Sequence, residues 1–315
     1  MKKIILSSLL FGVSLFGFEH LKPTYSLTAS GDVQDIVYSG EKLYAATSES
    51  IVDIFDTNNK SIVKQIKLPQ IKDFMGDDVP AKIYSIDILN NDILLVSQGM
   101  KGYRNVWLYS NNKLEKKIDI DKKFFIKEAK FINSNTIILA TLANQIMSFD
   151  INNNTNIYSM QVSPSSFSHF ALNENRTKIV TTDESGIVRV LDSKSGIILK
   201  KYDAINLDKI YQLDYKNGIV LTAGQDRKSV IYKDNNNDFL EFDFLLYSCG
   251  LSPNGTLGAV AYNENNDVLV FNTSSKKKLY NLTQNKATLT QILFIDENNI
   301  FTTSDSSKIN FYKLK

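Results

Sequence analysis

Residues 177–201, which read TKIVTTDESGIVRVLDSKSGIILKK, decide the fold. Two apolar runs, 179–181 and 187–191, flank a polar turn at 183–186, and a third run follows at 197–199. Short alternating runs joined by tight turns that contain Asp, Ser and Gly are typical of antiparallel strands. Such a meander cannot bury both of its faces alone, so a stable chain must supply further copies of it.

The chain repeats this unit about every 40 residues, and the clearest landmark is the third strand. Its form is apolar, any, apolar, aromatic or Leu, then polar, as in VDIFD, IMSFD and VLVFN. The penultimate positions are spaced by 54, 40, 42, 41, 39 and 41 residues. Seven units with one insertion predict an all-β, seven-bladed β-propeller. Those penultimate positions are Phe55, Tyr109, Phe149, Leu191, Tyr232, Phe271 and Tyr312.

The last unit stops after its third strand, while residues 24–28 (TYSLT) precede the first full unit. Pairing of this segment with the last unit would close the ring and remove two open sheet edges. We therefore expect one domain, residues 19–315. Its blades are expected at about 33–69, 83–121, 126–163, 167–204, 210–244, 246–284, and 289–315 with 24–28.

Residues 1–18 have the form of a signal peptide. Lys2 and Lys3 precede an apolar run of 15 residues, 4–18, which is short for a membrane span. We expect export to the periplasm, with membrane attachment only if the segment is not cleaved.

The residue inventory excludes several functions. Without Lys2 and Lys3 the charge is balanced, 34 basic against 34 acidic residues, so neither nucleic acid nor an anionic membrane is a predicted partner. The only histidines are His20 and His169 and the only cysteine is Cys249, too few for a metal centre and without a haem attachment motif. GxSxG and Walker motifs are also missing. The sequence predicts no metal, haem or other cofactor.

The first strand of each unit has a polar third position, expected at the mouth of the central channel. Two readings stay open: a ring of hydrogen-bonding groups around a small polar ligand, or a hydrated channel without one. Among these residues Glu128, His169 and Asp35 could form a hydrolytic site. The seven positions are Asp35, Ser85, Glu128, His169, Gln212, Ser248 and Gln291.

The second position of each first strand, before the polar one, includes Tyr84, Tyr211 and Tyr247. Their rigid amphipathic rings suit a partner-binding rim or packing between blades. The second unit also has two long loops, 69–82 and 99–104, which the topology places on one face. Longer loops on a regular scaffold often have functional roles. The candidate partner-binding residues on these loops and the next are Ile71, Phe74, Met75, Met100, Tyr103, Phe124 and Phe125.

The units resemble WD40 repeats of a seven-bladed propeller over residues 23–315, although Phe55-Asp56 and Leu191-Asp192 replace the Trp-Asp pair. The missing pair and the absence of Gly-His put the buried polar network of such repeats in doubt. With its export segment, the chain also resembles the accessory propeller family encoded with some periplasmic nitrate reductases, the NapL family. These resemblances imply a non-catalytic platform for protein partners, among them reductase subunits. A channel hydrolase or lactonase is the alternative.

Overall fold

The computed structural model describes residues 18–234 and 236–315, so the predicted signal peptide lies outside the described residues except for Phe18. The described part contains 31 β-strands and two short 3₁₀ helices, Met100–Gly102 and Ile120–Lys122. None of its helices is long and apolar enough to cross a membrane. The strands form seven sheets of four or five strands and one small hairpin.

The amino-terminal segment and the first three blades use the first sixteen strands. The amino-terminal strands are β1 (Glu19–Leu21) and β2 (Tyr25–Thr28). Blade 1 contains β3 (Val33–Ser39), β4 (Lys42–Thr47), β5 (Ile51–Asp56) and β6 (Ser61–Lys67). The hairpin β7 (Ile71–Lys72) and β8 (Asp78–Val79) precedes blade 2, which contains β9 (Ile83–Leu89), β10 (Asp92–Gln98), β11 (Arg104–Ser110) and β12 (Lys113–Ile118). Blade 3 contains β13 (Ile126–Phe131), β14 (Thr136–Thr141), β15 (Gln145–Asp150) and β16 (Thr155–Gln161).

The remaining four blades follow in chain order. Blade 4 contains β17 (Phe167–Leu172), β18 (Lys178–Asp183), β19 (Val188–Asp192) and β20 (Ile198–Tyr202). Blade 5 contains β21 (Ile210–Lys216), β22 (Ile219–Gly224), β23 (Lys228–Lys233) and β24 (Asn236–Glu241). Blade 6 contains β25 (Cys249–Leu251), β26 (Leu257–Ala261), β27 (Val268–Asn272) and β28 (Lys278–Leu282). Blade 7 contains β29 (Leu289–Phe294), β30 (Asn299–Ser304) and β31 (Lys308–Lys313).

The polar residue that ends each third strand also forms the turn after it in four blades. Asp56 Oδ1 accepts hydrogen bonds from the backbone N–H groups of Asn58 and Asn59, both at 2.9 Å. Asp150, Asp192 and Asn272 bind the corresponding N–H groups in their own turns. Asp and Asn favour turns because their side chains can replace a backbone acceptor. All seven third strands end at the predicted residue, and this local chemistry explains four of these ends.

The hydrophobic core is divided among the blade interfaces. Each of the seven buried clusters combines side chains from two neighbouring blades. Leu221 and Phe271 share the cluster between blades 5 and 6, for example, and Phe149 lies between blades 2 and 3. Each sheet therefore depends on its neighbours to bury its two faces.

The amino-terminal segment closes the ring, as predicted. Strand β2 pairs antiparallel with β31, with Tyr25 opposite Phe311 and Thr28 opposite Lys308. Strand β1, which the sequence did not indicate, adds a fifth, parallel strand to blade 6 beside β28. An ion pair of 2.5 Å between Glu19 and Lys315 joins the two ends of the ring. The closure thus spans two blades.

The connections lie on two faces because neighbouring strands in a blade are antiparallel. The loops that enter each first strand and the loops between second and third strands lie on one face, which we call the upper face. The lower face has the other two turns of each blade. The hairpin β7–β8, the helix Met100–Gly102 and the residues around Phe125 all belong to the upper face.

Blades 5 and 7 share a buried polar network of the kind that the departure from the WD40 signature had put in doubt. In blade 5, Asn206 Oδ1 accepts from the hydroxyls of Thr222 and Tyr232, both at 3.1 Å, and Asn206 Nδ2 donates to Asp226 Oδ2 at 3.2 Å. Blade 7 repeats this arrangement around the buried Asn285 with Thr302 and Tyr312. Asn and Tyr thus make the hydrogen bonds that link an entry loop to the second and third strands.

One strand differs from the sequence alignment. The repeat predicts that the first strand of blade 6 begins at residue 246, but the observed strand begins at Cys249. Gly250 explains the close packing there, since a Cβ at this position would lie 2.4 Å from the carbonyl oxygen of Ile292 in blade 7. The short strand therefore lies directly against its neighbour.

The closing strand gives the first prediction. We expect Leu27→Asp to lower the free energy of unfolding by several kcal/mol, roughly 3 to 5, because Leu27 is buried between blades 7 and 1 and a charge there has no partner. Ser26→Asp, on the exposed side of the same strand, is the control and should change it by less than about 1 kcal/mol. Urea unfolding followed by tryptophan fluorescence measures both. Equal effects of the two variants would contradict the closure.

Candidate functional site

A channel cavity of about 620 Å³ occupies the centre of the ring. All seven first strands contribute to its wall. In six of them a β-bulge falls on the second residue, directly before the polar third position. We call the seven third positions the polar column. A bulge re-aims side chains and is frequent near functional sites. The bulged residues are Gln34, Tyr84, Lys127, Ser168, Tyr211 and Thr290.

The polar column of the first strands links neighbouring blades. Asp35 Oδ2 accepts from the Ile86 N–H at 2.8 Å, which joins blade 1 to blade 2. Gln291 joins blade 7 to blade 1, because its amide accepts from the Ile36 N–H at 2.8 Å and donates to the Ile36 carbonyl at 3.1 Å. In both cases the backbone group belongs to the residue directly after the polar-column residue of the next blade, Ile86 after Ser85 and Ile36 after Asp35. The column thus satisfies backbone groups on the first strands, each of which is an edge strand of its sheet.

Gln212, Glu128 and Ser85 follow the same rule with different strength. Gln212 Oε1 accepts from the Cys249 N–H at 3.0 Å and from the Ser248 hydroxyl at 2.6 Å. Glu128 Oε2 accepts from the Phe170 N–H at 3.3 Å. Ser85 and Ser248 are fully buried, and Ser85 makes only long hydrogen bonds of 3.4 and 3.5 Å to blade 3. The cavity wall includes Asp35, Glu128, His169, Gln212 and Gln291.

Charged groups face one another across blades 1 to 3 of the channel. Burial raises the pKa of Asp35 to about 7 and also raises the pKa of Glu128. Burial alone would lower the pKa of Lys130, but the carboxylates of Asp35, Glu128 and Asp87 outweigh it and raise the pKa. Lys130 forms no ion pair within 4.0 Å among the described residues. The channel therefore contains an ammonium and a titratable carboxyl group that attract each other without direct contact.

His169 and Glu128 form the one contact that resembles an acid–base pair, with 3.3 Å between Nε2 and Oε1. Burial, together with the nearby Lys130 and Lys127, lowers the pKa of His169 to about 3. Its Nδ1 has no hydrogen-bond partner in the described part of the chain. The imidazole is neutral at physiological pH, and no described hydroxyl or thiol lies at hydrogen-bond distance from it. The pair lacks an adjacent nucleophile.

A buried ion pair at the lower end of the channel was not predicted. Arg176, in the turn between the first two strands of blade 4, reaches Asp87 of blade 2 with two contacts of 2.6 and 3.1 Å. The same guanidinium donates to the carbonyls of Phe131 at 2.6 Å and Ile88 at 3.2 Å. Asp87 also accepts from the Phe131 N–H at 2.8 Å. This clamp joins three blades through two residues that are 89 positions apart.

The three rim tyrosines lie in two places. Tyr211 and Tyr247 pack together with ring centroids 5.0 Å apart, and the Tyr211 hydroxyl donates to Gln225 at 2.8 Å. Tyr84 lies under the Arg104 guanidinium, whose carbon is 4.3 Å from the ring centroid. All three contribute to the cavity wall.

The insertion before blade 2 presents two apolar side chains to solvent. Phe74 is 95% exposed and Met75 is 72% exposed, at the tip of the hairpin β7–β8. The Asp73 carboxylate holds this tip by accepting from the backbone N–H groups of Met75 at 2.8 Å and Asp77 at 3.0 Å. Gly76 takes the left-handed conformation that the turn requires. The tip is thus an ordered turn, and Ile71 lies half-buried in its stem.

A second apolar group lies on the upper face of blades 2 and 3. The rings of Tyr103 and Phe125 are 4.8 Å apart, and the Arg104 N–H donates to the Phe124 carbonyl at 3.1 Å. Phe125 is 44% exposed and Met100 is 40% exposed. The second long loop and the entry to blade 3 therefore meet at one surface, on the same face as the hairpin β7–β8.

Among residues 18–234 and 236–315, no group of three or more His, Cys, Asp or Glu side chains could hold a metal ion.

The geometry defines a seven-bladed β-propeller with WD40-like blades. No family model and no curated protein matches the chain. A similar solved structure is the β-propeller domain of Cps50 (Swd1) from Myceliophteria thermophila, with a TM-score of 0.75 and 13% sequence identity. The match covers 93% of this chain and 99% of that domain. At this identity the similarity shows the fold alone.

The raised pKa of Asp35 predicts a pH dependence. An acid whose pKa is higher in the folded state binds more protons there, so its contribution to stability falls as pH rises from about 4 to about 7. The free energy of unfolding of Asp35→Asn, relative to that of the wild type, should therefore increase by up to about 4 kcal/mol over that pH range. It should not increase further at higher pH. Asn can still accept from the Ile86 N–H.

Unfolding free energies at a series of pH values measure this difference. His169, whose pKa is lowered to about 3, contributes in the opposite sense below its usual pKa, so only the difference between variant and wild type isolates Asp35. Asp32→Asn, an exposed neighbour, is the control. A difference that does not change with pH would contradict the assignment.

The clamp gives another prediction. Arg176→Met should lower the free energy of unfolding by about 3 to 5 kcal/mol, because it leaves the carboxylate of Asp87 buried without its partner. Asp87→Asn added to Arg176→Met should recover part of this loss. A double-mutant cycle by thermal or urea unfolding measures the coupling, expected to exceed about 1 kcal/mol. Additive effects of the two changes would contradict the clamp.

Proposed function

We propose that this chain is a periplasmic, non-catalytic platform that binds a protein partner through the upper face of blades 2 and 3. The observation that carries the proposal is the ordered hairpin tip on which Phe74 and Met75 are 95% and 72% exposed. Exposed aromatic and Met side chains held by a rigid turn lose little conformational freedom on binding, and such residues are enriched at protein interfaces. Propeller folds also commonly serve as protein-interaction platforms, which supports the proposal.

The closer proposal is an accessory role in a periplasmic nitrate-reductase system, with reductase subunits as partners. It is supported by the export segment of residues 1–18 and by the general likeness of the sequence to the accessory propellers encoded with such reductases. Residues of the apolar surfaces would make the contact, and no cofactor of the chain's own is involved.

The proposal predicts that replacing Phe74, Met75 and Tyr103 together with Ser abolishes capture of the partner while the fold survives. The first two side chains lie in solvent and contribute little to the core, so we expect the unfolding midpoint to change little. The measurement is affinity capture from periplasmic extract with the signal-free chain, followed by mass spectrometry.

The matched control replaces Ile62, Val63 and Ile157, which are exposed on the outer strands β6 and β16, with Ser. This control should capture the partner as the wild type does. Recovery of reductase subunits by the wild type supports the closer proposal. Equal capture by both triple variants would contradict the assigned surface.

A channel hydrolase remains the second candidate, because Glu128 and His169 lie 3.3 Å apart in the wall of the cavity near Asp35. The low pKa of His169 and the lack of an adjacent nucleophile among the described residues weigh against it. One variant distinguishes the two candidate functions. Glu128→Gln should leave partner capture unchanged on a platform, whereas it would be the damaging change in an enzyme.

A further inference from the structure

We infer that the segment which docks on blades 2 and 3 is acidic and has aromatic or aliphatic anchors. This inference rests on the proposed function and names the chemistry of its partner. It concerns a surface that we call the basic aromatic patch. The patch consists of Met100, Lys101, Tyr103, Lys122, Lys123 and Phe125.

The apolar part of the patch is preformed. Tyr103 and Phe125 pack with centroids 4.8 Å apart, and a Cβ on Gly102 would lie 3.4 Å from the Phe125 ring, so the loop between blade strands lies against the entry to blade 3. Met100 is 40% exposed beside them. A partner gains apolar contact here without first ordering the surface.

Three lysines lie in the same two loops as these rings, Lys101 beside Tyr103 and Lys122 and Lys123 before Phe125. Lys101, Lys122 and Lys123 are exposed, and none of their ammonium groups forms an ion pair or hydrogen bond with another described residue. Lys101 and Lys123 have φ angles of 56° and 57°, the left-handed conformation, so the two short helices set where these residues stand. The patch therefore combines apolar anchors with positive charge that no nearby group neutralises fully.

The carboxylates nearest in sequence do not cancel this charge. Asp119 is held by Lys116 at 2.9 Å and also accepts from the Ile120 N–H. Asp121 is the remaining acidic residue in this turn, one carboxylate against three ammonium groups. The patch itself keeps a net positive charge, whereas the hairpin β7–β8 on the same face carries Asp73, Asp77 and Asp78, of which Asp78 pairs with Lys72 at 2.9 Å.

The opposite side of the same upper face has the opposite sign. The entry loops of blades 5 and 6 and the second loop of blade 6 carry exposed Asp208, Asp243 and Glu264, none in an ion pair with a described residue. Complementary potentials steer a charged partner and disfavour the wrong register. An acidic segment would therefore be attracted to blades 2 and 3 and repelled from blades 5 and 6.

The test uses fluorescent peptides of equal length. In the first peptide Phe and Leu alternate with Asp and Glu, in the second Lys and Arg replace the acids, and in the third Ser replaces Phe and Leu. Fluorescence anisotropy with the signal-free chain should show binding of the first peptide only. Raising the salt from about 50 mM to about 500 mM should weaken it by about tenfold or more, because surface charges are then screened.

Replacing Lys101, Lys122 and Lys123 together with Glu should also weaken binding of the first peptide by at least about tenfold. The matched control reverses three exposed lysines of the lower face, Lys42, Lys113 and Lys178, and should bind as the wild type does. Circular dichroism checks that both variants are folded.

Three results would overturn the inference: equal binding of acidic and basic peptides, equal effects of the two lysine variants, or no binding of the acidic peptide. Self-association of the wild type that the patch variant abolishes would also overturn it, because a second copy would then occupy the surface. None of these results decides whether the chain captures a protein through Phe74, Met75 and Tyr103. That separate measurement decides the proposed function.

Discussion

The structure depends on burial of sheet faces between neighbouring blades. Seven hydrophobic clusters each draw on two blades, so a single blade would leave both of its apolar faces in water. Stability of this kind requires a closed ring, since an open array would expose two terminal faces and the edge of its last sheet. Strands β1 and β2 meet this need on blades 6 and 7, and the Glu19–Lys315 ion pair lies at the same junction.

The same constraint determines the character of the channel. Seven first strands crowd around the axis, each at the edge of its sheet, so their inner backbone groups need partners. Asp35, Gln212 and Gln291 provide those partners across the blade interfaces. Much of the hydrogen-bonding capacity of the polar column is therefore directed to the neighbouring blade, and Arg176 adds a charged link at the lower end. Lys130, which forms no ion pair with a described residue, lies in the wall of the channel with Asp35, Glu128 and Asp87.

The upper face of blades 2 and 3 is where the ring departs from regularity. A rigid scaffold can hold an irregular loop in one conformation, and here one face of blades 2 and 3 carries the exposed Phe74 and Met75 on a hairpin and Phe125 beside Tyr103. The lysines of the basic aromatic patch and the acids on the other side of the ring give the face a charge asymmetry that the balanced total charge conceals. The irregular part of the molecule thus combines exposed apolar side chains with a charge asymmetry that can orient a charged partner.

The sequence by itself determined the class of fold, the number of blades and the ends of the third strands. These features depend on local chemistry, since strand alternation and the turns after residues such as Asp56 and Asp192 need only neighbours in the chain. Topology then sufficed to place the long loops of blade 2 on one face. Only the tertiary structure decided what each polar side chain contacts. The Arg176–Asp87 clamp, the Asn206–Tyr232 network and the parallel strand β1 join residues far apart in sequence, and no periodicity marks such contacts because they depend on distances in space.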